Sequence, residues 1–459
     1  MKFFAVAGLP ILHSKSPLIF KHFFKKFSMG AAYGRVAAGS ASEIIFIFNS
    51  FGFDGMNITT PFKNEIIPCL SGLDEVASAT GSVNTIIRWK NGAKGFNTDP
   101  AGVVRALEKR NIQLAGKKCA VIGAGGAGAS AAFGLIQKGA EVTIVNRTVE
   151  KARKLAASLG CQAGEPDLLA DIIKEAEIIV SAITSGKGFI QKDWLKKDQV
   201  VLEANYKQPV ILPLARSAGC QAISGEEWLY QQAVEAREIF FSSQKGGKVG
   251  AGSFRSPDSG GQPAISDLAA RPEILSEFSF LFDQDDRKEN KRNITLIGFM
   301  GSGKTSIGER LASKMGLKFI DTDRLIESRE KMSIEEIFEK KGEAYFRAQE
   351  KITIKKLAME RGALFSPGAG AITDEENRQI LKKNSTVIFL FSTLDTCLKR
   401  ASGTKRPLLN KSSQQEIEDI YETRKGLYFT TADLMVNGEK SLEEVTDKID
   451  SEIREVFND

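Results

Sequence analysis

The sequence predicts an α/β protein built on parallel sheets, with two separate nucleotide-binding halves. Three observations predict it. Short apolar runs alternate with amphipathic stretches along most of the chain. A glycine loop, GAGGAG, occupies residues 123–128 between a strand-like run and a helix-like one. A second glycine loop, GFMGSGKT, occupies residues 298–305 in the same kind of setting. At 459 residues the chain is too long for one ordinary core.

The elements follow in order. FFAVAGL, AYGRVAA and FDGMNIT read as strands, with LIFKHFFKKF and SEIIFIFNSF as helices between them. KKCAVIGA (117–124) and EVTIVN (141–146) read as strands flanking a glycine-opened helix. EIIVSAI, QVVLEAN and CQAIS continue the parallel rhythm, and residues 226–241 form an amphipathic helix. Residues 243–292 change texture, with Gly, Ser and Lys enriched, and predict a flexible linker. Within it ILSEFSFLF (274–282) is apolar enough to dock. From Asn293 a second α/β unit runs to the end, opening with NITLIGF.

Composition narrows the function classes. Hydrophobic content of 42% and charged content of 26% are those of a soluble globular chain. The net charge of +6 is modest, and no basic run is interleaved with aromatics, so nucleic acid is not an expected partner. No stretch has the length of a membrane span. The N-terminal apolar run is interrupted by Gly8 and Pro10 and reads as a buried strand rather than a signal peptide. Cys69, Cys119, Cys161, Cys220 and Cys397 are scattered without a CxxC pair, which predicts a reducing cytoplasm. His13 and His22 are too few for a histidine metal centre.

In the later loop Gly298, Gly301 and Gly303 let backbone N–H groups curl around phosphate oxygens. Lys304 supplies a point charge to the outer phosphates, and the Thr305 hydroxyl can ligate Mg²⁺. The helix N-terminus adds partial positive charge. Downstream lie Asp321 and Asp323 in KFIDTD, Arg347 and Glu350 in FRAQE, and Gly368, Ala369 and Gly370 in SPGAGA. Arg406 opens RPLL, and RKGLYFTTAD holds Arg424 and Tyr428. Singly, each charge reads as a solvated helix face; their order behind a P-loop reverses that reading.

This set resembles shikimate kinase over residues 293–459. The resemblance implies an ATP site of Gly301, Ser302, Gly303, Lys304, Thr305 and Ser306, with Arg400 against adenine and Arg406 on a lid near residues 400–414. It implies Mg²⁺ held through Thr305 and Asp321, and shikimate held by Asp323, Arg347, Gly368, Ala369, Gly370 and Arg424. Lys304 and Asp323 are its catalytic residues. Ala369 and Gly426 stand where the family usually has glycine and proline.

The earlier loop reads as GxGxxG through Gly123, Gly125 and Gly128. The next strand ends in Asn146, Arg147 and Thr148 instead of an acid, with Lys151 and Arg153 beyond. An acid there repels a 2′-phosphate and an arginine holds it, so NADP is expected over NAD. The alternative is that Arg147 and Lys151 are ordinary surface residues. Earlier, HSKSP holds Ser14 and Ser16, NITTPFK holds Asn57, Thr59 and Lys63, SVNT holds Asn84, and FNTDPAG holds Asn97 and Asp99.

These motifs resemble shikimate dehydrogenase over residues 1 to about 242. The resemblance implies a substrate domain (1–98 plus 225–242) and a Rossmann-type NADP domain (99–224), with 293–459 as the kinase. It implies that Ser14 and Ser16 hold the substrate carboxylate, and that Thr59, Asn84 and Gln232 bind ring hydroxyls. Lys63 and Asp99 are the implied catalytic pair, with Tyr206 lining the cleft. The NADP(H) site is implied at Gly123, Ala124, Gly125, Gly126, Ala127, Gly128, Asn146, Arg147, Thr148, Lys151 and Gly225. From the residues alone, Lys63 also reads as a solvent lysine and Asp99 as a helix N-cap. Phe20 and Lys21 replace the family's usual His-Asn pair.

The expected activity is reduction of 3-dehydroshikimate to shikimate followed by its phosphorylation. A quinate-preferring dehydrogenase, a kinase for another small hydroxy acid, and a metabolite sensor are the alternatives. The expected partners are small molecules, with no nucleic acid and no membrane, the chain being monomer or homodimer.

Overall fold

A computed structural model of the chain describes residues 1–183, 190–242, 293–402 and 413–457. The expected linker, 243–292, lies outside the described residues, as do residues 403–412 of the expected lid, Arg406 among them.

In chain order the described strands are β1 (Lys2–Gly8), β2 (Ala31–Ala37), β3 (Gly55–Ile58), β4 (Gly72–Leu73), β5 (Thr85–Trp89), β6 (Gly92–Phe96), β7 (Lys118–Ile122), β8 (Glu141–Val145), β9 (Gln162–Gly164), β10 (Ile178–Ser181), β11 (Val200–Glu203), β12 (Gln221–Ile223), β13 (Asn293–Ile297), β14 (Lys318–Asp321), β15 (Ala363–Ser366), β16 (Ser385–Phe391) and β17 (Leu434–Asn437). By contacts the chain divides into two compact units, Met1–Phe53 with Phe280–Asp459, and Asp54–Ser279. This grouping differs from the sequential one that the motifs suggest, because the first two strands share a sheet with the C-terminal portion.

In the first unit the strand order is β14-β15-β13-β16-β17-β2-β1. Every pairing in this run is parallel. The strands are buried on both faces, as β13 and β16 are along their whole length, which is why they read as unbroken apolar runs. The join is made by Met435 opposite Val36 and Val436 opposite Ala37. β2 has a free row of N–H and C=O groups on that side, and β17 pairs with it. Phenylalanines pack around the join. Phe3 meets Phe429 at 5.7 Å, Phe51 meets Phe391 at 5.7 Å, and Phe53 meets Phe429 at 5.2 Å between ring centroids. Edge-to-face pairs of this kind add about 0.5–1.5 kcal/mol each beyond burial. At Gly34 a Cβ would stand 2.6 Å from the Phe429 ring, so β2 needs glycine there.

The second unit holds two sheets. One runs β3-β5-β6-β4, with β3, β5 and β6 antiparallel. The other is parallel, β12-β11-β10-β7-β8-β9. β7 and β8 flank the loop 123–128, and the helix Gly126–Gln137 follows it. That helix and the helix Asp99–Glu108 share one core with β7, β10 and β11, built on Val103, Leu107, Val121, Leu135, Val180 and Leu202. Gly102 lets the helix Asp99–Glu108 lie close to the helix Gly225–Ser242, since a Cβ would stand 2.8 Å from Trp228 and 2.9 Å from Gln232.

Candidate active sites

In the second unit the segments flanking β3, β5 and β6, together with the helix Gly225–Ser242, bring four sequence-predicted residues together. The Lys63 ammonium donates to Asp99 Oδ2 in an ion pair whose partners are mostly buried. Asn84 Nδ2 donates to Asp99 Oδ1 at 2.9 Å and lies 3.3 Å from Gln232 Oε1. Each oxygen of the Asp99 carboxylate therefore has a donor, and the lysine is aimed by its partner. Asp99 is the first residue of its helix; Thr98 is the N-cap, with no side-chain cap bond. The capping alternative for Asp99 is thus set aside, because its oxygens face Lys63 and Asn84.

A second layer fixes this cluster. Thr98 N–H donates to Asn84 Oδ1 at 2.9 Å, and Trp228 Nε1 donates to the Asp99 carbonyl at 3.1 Å. Asn57 Nδ2 donates to the Asn84 carbonyl at 3.2 Å and to Thr85 Oγ1 at 3.0 Å. Asn97 Nδ2 donates to Thr80 Oγ1 and to Ser130 Oγ, both at 2.9 Å. Ser130 sits on the helix that the glycine loop opens, so Asn97 ties the two sheets of this unit together. Thr59 lies just past β3, half-buried, and its side chain takes no part in these bonds. Tyr206 is half-buried on the loop after β11.

The glycine loop has the shape of a phosphate cradle. Gly123 has φ 116°, and a Cβ on it would stand 3.0 Å from the Ala182 carbonyl oxygen. A Cβ on Gly128 would overlap the Gly123 carbonyl. These are the tight turn and the close helix–strand packing that a pyrophosphate site requires. Asn146 Oδ1 accepts from the Ala124 N–H at 3.2 Å, so the strand-end asparagine buttresses the loop. Arg147 and Lys151 are exposed beside it, whereas Arg153 is held by Glu165 at 2.6 Å and Glu150 at 3.2 Å. Arg153, a little further along the same stretch, is satisfied by these acids and stands apart from the other two cations. The N-terminus of Gly225–Ser242 abuts β11, where a Gly225 Cβ would stand 2.6 Å from the Glu203 carbonyl.

In the first unit Ser14 and Ser16 follow β1 and open the helix Ser16–Lys26. Both are buried, with hydroxyl oxygens 3.3 Å apart. Arg35 of β2 donates to the Ser14 carbonyl through Nε at 3.0 Å and Nη2 at 2.6 Å. Tyr33 hydrogen-bonds Ser16, and burial raises its phenol well above the ordinary value. Phe20 stacks on the Tyr33 ring at 4.2 Å, so the residue that replaces the family's polar pair serves the core.

The same unit carries a cleft of about 910 Å³, lined by Gly301, Gly303, Lys304, Thr305 and Ser306 on one side and by Asp321, Asp323, Arg347, Glu350, Gly368, Ala369, Gly370, Arg400 and Arg424 around it. Gly301 and Gly303 have φ of 76° and 90°, the left-handed region that glycine tolerates. Lys304 Nζ donates to the Gly298 and Phe299 carbonyls at 2.9 and 3.0 Å. Ser302, within the loop, is buried and is not among the residues that line the cleft. The Thr305 hydroxyl donates to Asp321 Oδ2 at 3.0 Å, while Asp321 Oδ1 caps the next helix through the Asp323 N–H at 3.1 Å. A hydroxyl and a carboxylate so placed are hard oxygen donors of the kind that would hold Mg²⁺. Arg400 Nη1 donates to the Gly438 carbonyl at 2.8 Å.

Arg347 is clamped by Glu350 at 2.8 Å and Glu343 at 3.1 Å. Glu350 is fully buried, and burial pushes its carboxyl up to about 7 against the opposing pull of Arg347. The resemblance assigns Glu350 no role, although its place three residues after Arg347 on one helix is the signal of such a pair. Arg424 hydrogen-bonds Tyr428, whose hydroxyl donates to the Ala369 carbonyl at 2.6 Å. The glycine turn 368–370 is thereby fixed against both arginines.

Family models match three stretches: the shikimate dehydrogenase substrate binding domain at residues 6–86, the shikimate / quinate 5-dehydrogenase at 105–213, and shikimate kinase at 300–454. A shikimate dehydrogenase (NADP(+)) of Methanocella arvoryzae is 34% identical over 254 residues, 52% of this chain and 93% of that protein. A shikimate kinase of Persephonella marina is 42% identical over 165 residues, 36% of this chain and 99% of that protein. The bifunctional 3-dehydroquinate dehydratase/shikimate dehydrogenase of Arabidopsis thaliana, a chloroplastic protein, is 34% identical, and the match spans 44% of its length. The crystal structure of shikimate dehydrogenase from Aquifex aeolicus aligns with 53% of this chain and 93% of its own, at 30% identity and a TM-score of 0.50.

Proposed function

The chain belongs to the shikimate dehydrogenase family through its first half and to the shikimate kinase family through its second, and from that premise we propose that it catalyses two consecutive reactions. The first reduces 3-dehydroshikimate to shikimate with NADPH. The second phosphorylates shikimate with ATP to shikimate 3-phosphate. The observation that carries the reading is that each half keeps its charged machinery assembled: the Lys63–Asp99 pair on one side, and Lys304, Asp321, Asp323, Arg347 and Arg424 around one cleft on the other.

We assign the substrate domain to 1–98 with 225–242, the NADP domain to 99–224 and the kinase to 293–459. Ser14 and Ser16 hold the substrate carboxylate, and Thr59, Asn84 and Gln232 its hydroxyls. The bound nicotinamide supplies the hydride. Lys63 stabilises the negative charge that develops on the reacting oxygen, and the Lys63–Asp99 pair delivers its proton. Asn84 keeps Asp99 oriented for this. Arg147 and Lys151 take the 2′-phosphate.

In the kinase the Lys304 ammonium turns from the loop carbonyls to the outer phosphates. Arg347 and Arg424 grip the acceptor's carboxylate with planar guanidinium groups, and Asp323 orients its hydroxyl. Positioning and charge neutralisation are what phosphoryl transfer asks of a protein. The five cysteines, all free, support a reducing cytoplasm as the working place. Among the described residues no helix is long and apolar enough to cross a membrane.

Two optical assays on the purified chain test this. One follows NADP reduction with shikimate, the other shikimate-dependent ADP release. Lys63→Ala should abolish the first alone and Lys304→Met the second alone. Loss of both by either substitution, or neither activity in the parent, would sink the reading.

A further inference from the structure

The loop between β1 and the helix Ser16–Lys26 has backbone groups that β1 no longer pairs. Ile11 and Leu12 are buried, so their N–H groups need acceptors from the protein. The acceptor comes from the other end of the chain. Glu452, on the C-terminal helix Leu442–Phe457, is completely buried. Both its oxygens accept from the Ile11 N–H at 2.9 Å, and Oε2 also accepts from the Leu12 N–H at 2.7 Å.

The same helix is anchored one turn earlier. Lys448 pairs with Glu43 at 2.7 Å, both partners almost wholly buried. Glu43 is on the helix Ala41–Phe51 and also accepts from the Gly39 N–H at 2.6 Å. On the other side of the loop, Arg35 grips the Ser14 carbonyl twice and reaches the Asp433 carbonyl at 3.4 Å. Asp433 precedes β17, and its carboxylate accepts from the Val387 N–H at 3.0 Å. A turn bond from the Ser14 N–H to the Ile11 carbonyl at 2.9 Å joins the two grips. Residues 11 to 14 are thus held at both ends, by Glu452 at residues 11 and 12 and by Arg35 at Ser14.

Resting on the reading of Ser14 and Ser16 given above, we propose that Glu452 is a positioning residue of the dehydrogenase: the kinase's last helix fixes the loop whose serines hold the substrate carboxylate. Burying a carboxylate is costly, and packing alone would be served by an apolar side chain. What an acceptor oxygen does here, and an apolar side chain cannot, is take two adjacent backbone N–H groups and set the path of the chain two residues before Ser14. The kinase portion is then part of the dehydrogenase's working structure as well as a second enzyme.

The test uses the full-length chain with Glu452→Ala and Glu452→Gln. Glu452→Ala should raise the dehydrogenase KM for shikimate about tenfold or more, one to two hydrogen bonds' worth, with the KM for NADP and both kinase constants unmoved. Glu452→Gln keeps one acceptor oxygen and should fall between. With the methyl ester of shikimate, which lacks the carboxylate charge, parent and Glu452→Ala should converge. A shikimate KM within about twofold of the parent in a folded Glu452→Ala protein overturns the inference, as does equal impairment on acid and ester. Kinase constants that fall in step overturn it too. If neither variant folds, amide exchange in the parent decides: Ile11 and Leu12 should be protected like β1, and exchange at open-loop rates overturns the idea. A parent inactive on shikimate with NADP counts against the proposed function, whereas an active parent with unmoved variants counts against this inference alone.

Discussion

Gly370→Ala isolates the contribution of one arginine in the kinase cleft. Gly370 has φ −88° and ψ −16°, which alanine adopts freely, so the backbone does not resist the change. The side chain does. A Cβ at this position would stand 2.5 Å from Arg347 Nη1 and 2.6 Å from Cζ, while ordinary contact begins at 3.4 Å. The guanidinium must therefore retreat by about 1 Å. It cannot do so and keep both the 2.8 Å bond to Glu350 and its proposed grip on the acceptor's carboxylate. A hydrogen bond to a charged group contributes about 1.5–3 kcal/mol, which corresponds to a rise in the kinase KM for shikimate of roughly 10- to 150-fold. The carboxylate is distant from the reacting hydroxyl and is held alike in ground and transition states, so kcat should change less than KM. The assay is coupled ADP release against shikimate concentration, with NADP reduction by the same sample reporting that the dehydrogenase half is intact. A KM within about twofold of the parent, or a fall in kcat with KM unmoved, would refute the placement of Arg347 against the acceptor.

Three further outcomes follow from other groups. Replacing Arg147 with Gln should raise the KM for NADP about tenfold and leave that for NAD nearly unchanged, because only the former carries a 2′-phosphate; parallel changes with both cofactors would count against the assignment. Glu350 has its carboxyl raised to about 7 by burial, so its protonated form favours the folded state. That contribution is whole below the unfolded carboxyl value of about 4.3 and is lost as pH rises through about 7. Glu350→Gln should therefore be the more stable protein at pH 8, by about 1–3 kcal/mol, and nearly equal at pH 4; denaturant titrations that follow the kinase at both values check the sign. Lys448→Met leaves Glu43 buried without its cation and should cost about 3–5 kcal/mol in the stability of the first unit, a loss that Lys448→Arg should largely avoid; a midpoint unchanged in Met would show the pair to be dispensable.

The two phosphate loops, and the strand and helix on either side of each, could be read from the chain because their chemistry is local. A glycine turn needs particular residues at fixed spacing, and GAGGAG and GFMGSGKT supply them. Arg347 and Asp321 came into view through the order of motifs behind the P-loop, whereas the bonds of Arg347 to Glu350 and of Thr305 to Asp321 are decided by the fold. The β5–β6 hairpin was not legible: Trp89 pairs with Gly92, so the turn is Lys90-Asn91, one residue before the Asn-Gly step that the sequence offers as a hairpin signal. Asp99 read equally well as a cap, since NTDP has capping chemistry in any context; only the arrival of Lys63 and Asn84 from distant strands decides what its oxygens do. Ser302 and Ser306 stand four apart, yet only the second lines the cleft, because Ser302 is buried in the curled loop while Ser306 lies in the first turn of the helix Lys304–Met315 that follows. Farthest from the sequence's reach is Glu452 against Ile11 and Leu12, partners more than 400 residues apart. Composition and spacing determine which residue types sit at a loop or a helix end, whereas a buried backbone N–H takes whatever acceptor the packed chain brings to it, and that is settled only when β17 lies down beside β2.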